Sequence, residues 1–141
     1  MSADSLHSGE LIKRLNSIME KRANNSLNDD GITLSQIKLL CILEQEGSLT
    51  LKELEKYFCV AQATIAGIVV RLEKKGLIES FYLPEDKRAK HIRLTDDGIK
   101  MCEHARCSME RNEQWLLSSL DDGEKKELHR LLQKIYDDIS R

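Results

Sequence analysis

Only one proline, two phenylalanines and one tryptophan occur in 141 residues, and aromatic residues amount to 4%. Strand-rich domains lean on aromatic and β-branched side chains. Their scarcity, beside 33% charged residues, favours helices joined by Leu/Ile seams over a β-sandwich. No apolar run approaches the roughly 18–20 residues that span a bilayer. The opening "MSADSLHSGELIKRL" has no apolar signal segment, so a cytoplasmic chain without a membrane partner is expected. The four cysteines, Cys41, Cys59, Cys102 and Cys107, include no C-x-x-C pair and read as reduced, buried small hydrophobes. Nothing resembles a phosphate loop, a metal-binding pair on a helix or a nucleophile elbow. His7, His91, His104 and His129 lack ligand spacing, and Glu103-His104 is a lone pair. No catalytic residue, metal or cofactor is therefore assigned, and an enzyme is not expected.

What is present is an uneven distribution of charge. The net charge is -2. From Thr50 to Thr95 nine Lys/Arg face six Asp/Glu, a balance of +3, while the rest carries thirteen against eighteen, or -5. A basic middle between acidic ends suits an anionic partner for the middle alone.

The chain reads as a mainly α, α+β protein. "ELIKRLNSIMEK" sets Leu11, Ile12, Leu15, Ile18 and Met19 on one helical stripe, which "NNSLNDDG" should end near Ala23 to Ser26. Thr33 and Gln36 have capping-box spacing before "LSQIKLLCILEQEG", and Thr50 and Glu53 repeat it. "AQATIAGIVVRLEKKG" brings Ile65, Ile68, Val69 and Leu72 to helical spacing and stops at Gly76. Two short strands follow, "IESFY" and "KHIRL", joined by a proline-led turn; Ile92 and Leu94 alternate with His91 and Arg93. Thr95, Asp96 and Asp97 open a long helix. Asp121 and Glu124 open the last, with Leu128, Leu131, Leu132, Ile135 and Ile139 on its seam.

Three helices and a hairpin in this order make a winged helix-turn-helix. "DKRAKHIRLTDDG" carries Asp86, Arg88, Ile92, Leu94, Thr95 and Gly98, and "RLEKKGLIE" follows "LTLKELEKYFCVAQATIAGIVV" closely. Over residues 32 to 98 these segments resemble the multiple antibiotic resistance regulator (MarR) family of bacterial transcription factors. The resemblance implies an N-terminal dimerisation helix (1–30), a DNA-binding winged helix-turn-helix (31–98) and C-terminal dimerisation helices (99–141). It also implies a homodimer on pseudo-palindromic promoter DNA. A recognition helix, about 61–75, would enter the major groove and a wing, about 82–93, the minor groove. The expected regulator is a repressor relieved by a small-molecule effector.

Candidate DNA contacts on the recognition helix are Gln62, Ala63, Thr64, Ala66, Gly67, Arg71 and Lys74; on the wing they are Lys87, Arg88, Lys90 and Arg93. Gln pairs with adenine, Ala and Thr meet a thymine methyl, and a narrow minor groove attracts Arg. Lys52 and Lys75 suit either phosphates or solvent. Asp86 would be repelled by phosphate and reads as support for Arg88 or the turn. The chain departs from the family at Ala61, often Ser, at Gly67, often basic, and at Ser80, often basic. An effector pocket between the DNA-binding lobe and the dimer helices would draw on Arg14, Met19, Tyr57 and Met101. Dimerisation falls to Leu11, Ile12, Leu15, Ile18, Leu128, Leu131, Leu132 and Ile135. Two competing readings remain open: a winged helix that docks a protein through Val70, Ala63, Ala66 and Gly67, and a redox-responsive regulator using a Cys. The latter lacks the first-helix Cys of peroxide-sensing relatives, and Cys102 and Cys107 point about 140° apart on a helix.

Overall fold

The computed structural model describes residues 6–58 and 60–141. Six helices and three strands follow in the order α1 (Ser8–Asn28), α2 (Leu34–Glu46), β1 (Ser48–Thr50), α3 (Leu51–Glu55), α4 (Gln62–Lys74), β2 (Ile78–Leu83), β3 (Asp86–Leu94), α5 (Asp96–Leu116) and α6 (Asp122–Ile139). The antiparallel sheet has the order β1-β3-β2. It is the winged helix-turn-helix expected from the sequence, with long helices on either side.

Helix α1 runs past its expected end, through the polar stretch to Asn28. Leu27 near its end is 4% exposed, and the Asn24 side chain accepts the Leu34 N–H at 3.4 Å. Tertiary packing and this bond outweigh the turn preference of the asparagines. The stop comes at Gly31, whose φ is 68°. There the Ile32 N–H reaches the Leu27 carbonyl and the Gly31 N–H reaches that of Asn28, the paired closure of a Schellman motif. Gly76, with φ 73°, ends α4 by the same device on Leu72 and Glu73.

The Thr33–Gln36 and Asp121–Glu124 capping boxes both form. At Thr50 only one half is made: its hydroxyl accepts the Glu53 N–H, without the return bond. The three-residue strand β1 went unanticipated, being too short to show a period. The turn between β2 and β3 is tighter than expected, because both strands extend to it and a register shift falls between Tyr82 and Leu83.

The core joins Ile37, Leu40 and Leu43 of α2, Leu54 of α3, Ile65 and Leu72 of α4, Ile92 of β3 and Cys102 of α5. Thr95 closes it at the α4–α5 corner. Its hydroxyl donates to the Gly76 carbonyl at 2.6 Å and accepts the Gly98 N–H at 3.1 Å. A Cβ on Gly98 would lie 2.1 Å from the Leu77 carbonyl oxygen. The last two residues of the wing signature therefore lock the wing to α5. Helix α6 buries no residue and makes no extended packing with any other described element.

Candidate nucleic-acid interface

Helix α4 turns Ile65, Ile68, Val69 and Leu72 into the core. Gln62, Ala63, Thr64, Val70, Arg71 and Lys74 are exposed on its other side, with Ala66 and Gly67 half-buried between them. Ala61 sits at the N-cap without a side-chain cap, so amide donors of the first turn remain open to an anion. Arg71 and Lys74 lie in the last turn. This face is weakly polar at its start and cationic at its end.

The wing divides its cations into two pairs. Lys87 and Arg88 stand exposed at the tip, and among the described residues neither forms an ion pair. The carboxylate of Asp86 accepts the Arg88 N–H at 3.0 Å, bracing the turn while leaving the guanidinium unbound. Lys90 and Arg93, also expected to meet DNA, are engaged within the chain. The Lys90 ammonium lies 3.4 Å from Glu73 of α4, and the Ser80 hydroxyl donates to the same carboxylate. Arg93 donates to Glu79 at 2.7 Å and lies 4.4 Å over Phe81, which stacks on His91 at 5.4 Å. Cross-strand register explains the second engagement, since Glu79 faces Arg93. No local signal announces the first, because Glu73, Ser80 and Lys90 come from three elements. Lys52 is exposed. Lys75 is exposed, yet its ammonium is engaged within the chain, donating to Gln36 at 2.9 Å and to the Gly31 carbonyl.

The four expected pocket residues do not converge. Arg14 pairs with Glu10 one turn away at 3.1 Å. Tyr57 is exposed, and its hydrogen bond to Glu46 raises its pKa. Met101 packs against the core. Met19 alone lines a cavity of about 300 Å³ between α1, α2 and α5. Its other walls include Arg22, Lys38, Met109, Asn112 and Trp115. Arg22 donates to Asn112 at 3.1 Å and lies 4.1 Å over the Trp115 ring. Sequence reasoning missed these residues because their side chains meet only when α1 crosses α5.

The cysteines divide as well. Cys102 is buried and beside Cys41; burial chiefly pushes its thiol up to about 12. Burial, followed by the Glu44 carboxylate, also raises Cys41. Both stay protonated at neutral pH and make poor nucleophiles, which gives the redox reading no support from this pair. Cys107 is exposed rather than buried, and Cys59 lies outside the described residues. Among the described residues no group of three His, Cys, Asp or Glu is placed to hold a metal ion, and no helix is long and apolar enough to cross a membrane.

The seams of the terminal helices are open. Leu11, Ile12, Leu15 and Ile18 of α1 and Leu131, Leu132 and Ile135 of α6 are all exposed, between 40% and 52%; Leu128 is half-buried.

Comparison with known proteins places this geometry. The MarR family model matches residues 32–90. The chain is 35% identical to the multiple antibiotic resistance protein MarR of Salmonella typhimurium, over 90% of this chain and 89% of that one. The crystal structure of wild-type apo MarR from E. coli superposes with a TM-score of 0.83 at 30% identity, covering 92% of this chain and 96% of that one. A mutant MarR from E. coli complexed with operator DNA gives 0.73 at 30% identity, covering 90% and 91%.

Proposed function

The chain belongs to the MarR family of transcriptional regulators, and from that premise we propose that it is a homodimeric repressor whose two α4 helices read successive major grooves. In this reading Gln62, Ala63, Thr64, Ala66 and Gly67 approach base edges, and Arg71 and Lys74 meet phosphates. Lys87 and Arg88 carry the minor-groove contact. Lys90 acts one step back by tying the wing to Glu73 of α4, and Arg93 by bracing the hairpin through Glu79 of β2. Residues 1–30 and 99–141 supply the dimer and residues 31–98 the DNA contacts. The protein works in the cytoplasm, performs no catalysis and needs no cofactor. An effector of small-molecule size enters the cavity between α1, α2 and α5 and alters how the DNA-binding unit hangs from α5. Repression follows from position, since a dimer seated on a promoter duplex excludes other proteins from it.

One observation carries the reading. Two wing cations that form no ion pair among the described residues, and a helix face with no acid among its exposed residues, occur in a chain that is otherwise acidic. The opposing reading, a protein-docking winged helix, draws on Val60 and Val70, each 49% exposed. A salt series separates the two. The wild-type dimer should select a duplex from a random pool, and its log affinity should fall linearly with log salt, by about 0.9 for each phosphate neutralised. Failure to select any duplex, or a flat salt dependence, would favour docking.

A further inference from the structure

Lys75 occupies the C-cap of the recognition helix and is exposed, yet its ammonium is engaged within the chain. Its ammonium donates to the Gly31 carbonyl and, at 2.9 Å, to Oε1 of Gln36. Both acceptors belong to the corner between α1 and α2. Gln36 is 4% exposed, and the same oxygen accepts the Thr33 N–H at 3.2 Å in the capping box of α2. Gly31 is the residue that ends α1, where outward carbonyls favour a cation. The corner is itself held: Asp30 Oδ2 lies 2.9 Å from His104 Nε2 on α5.

We infer that Lys75 is a positioning residue for DNA recognition, fixing the far end of α4 to the α1–α2 corner rather than contacting a phosphate. A helix pinned by its core face alone can pivot about that face. Side chains at its N-terminal end, three turns from Lys75, would then swing by more than base-edge hydrogen bonds tolerate. Glu73, held by Ser80 and Lys90, and the Gly76 carbonyl, held by Thr95, restrain this freedom on the wing side. The tie at Lys75 restrains it on the side of the α1–α2 corner. It also connects α4 to α5 by way of Gly31, Asp30 and His104. The inference rests on α4 being the recognition helix, and the test keeps the two claims apart.

Lys75→Met keeps the aliphatic stem and removes the ammonium; Lys74→Met, on the neighbouring lysine, is the comparison. Both are titrated against the duplex selected by the wild-type protein, across a salt series. Lys75→Met should weaken binding about tenfold with the wild-type salt slope. Lys74→Met should flatten the slope by about 0.9 for each phosphate no longer neutralised, twice that in a two-fold dimer. Gln36→Met should weaken binding as Lys75→Met does, and the double variant should be no weaker than the weaker single one. A flattened slope for Lys75→Met makes it a phosphate contact and overturns the inference, as does unchanged affinity or full additivity with Gln36→Met. A wild-type protein that selects no duplex would instead overturn the DNA-binding role of α4.

Discussion

Charge at a DNA surface is read by whether it is free, and the wing shows how little residue type says about that. Arg88 and Arg93 sit five residues apart on one strand, both exposed. Arg88 has only its backbone N–H engaged, by Asp86, whereas the Arg93 guanidinium is held by Glu79 and lies over Phe81. Arg88→Ala should therefore weaken operator binding by about 1–3 kcal/mol and flatten the salt slope. Arg93→Ala should leave the slope unchanged and cost roughly 0–1 kcal/mol, the worth of an exposed ion pair. Parallel titrations of the two variants check this. Equal slope changes would mean that Arg93 leaves Glu79 to meet phosphate. Asp86, Arg88 and the alternating strand were legible in the sequence because a turn and a strand are local. The capture of Lys90 by Glu73 was not, since the two meet only across α4 and β3.

At the scale of elements, the same distinction explains which boundaries sequence patterns could locate. The core face of α4 followed from spacing, and the two capping boxes followed from residue type at fixed offsets. The end of α1 did not, because Leu27 is drawn into a core assembled from α2 and α5. Two glycines show how an element's surroundings set the meaning of one residue type. Gly67, within α4, would carry a Cβ into open space, whereas Gly98, in the first turn of α5, would press one onto the Leu77 carbonyl. Gly67→Ala should stabilise the fold by about 0.5–1 kcal/mol, since alanine favours a helix interior and its unfolded chain has less freedom to lose. Gly98→Ala should destabilise it by about 1–3 kcal/mol, because backbone must move to admit the methyl group. Thermal melts of both variants decide the matter, with opposite shifts expected. A neutral Gly98→Ala would show that the corner between α4 and α5 yields easily.

For the whole molecule the decisive fact is an imbalance between the middle and the ends. The core gathers the winged unit together with Leu27 of α1 and Cys102 and Ala105 of α5, while α6 buries nothing and α1 leaves its apolar stripe exposed. Seven leucine and isoleucine side chains on these two helices are about half exposed. Burying the remainder of each is worth about 1 kcal/mol, far more together than an ordered helix without a partner can forgo. In the proposed dimer a second copy would supply the matching surface, and two-fold pairing would close it without leaving further apolar edges. Such a dimer would also set the two α4 helices one turn of DNA apart, roughly 34 Å. Leu131→Asp places a carboxylate in that seam at a site 43% exposed in the single chain. The winged unit should fold unchanged, because α6 contributes nothing to its core. The dimer should dissociate, and operator binding should fall by orders of magnitude as two half-sites cease to be held together. Light scattering and a titration on the selected duplex measure the two effects. A wild-type mass of one chain at micromolar concentration would remove the dimer and the two-half-site geometry built on it. A dimeric Leu131→Asp variant with wild-type affinity would move the interface away from α6.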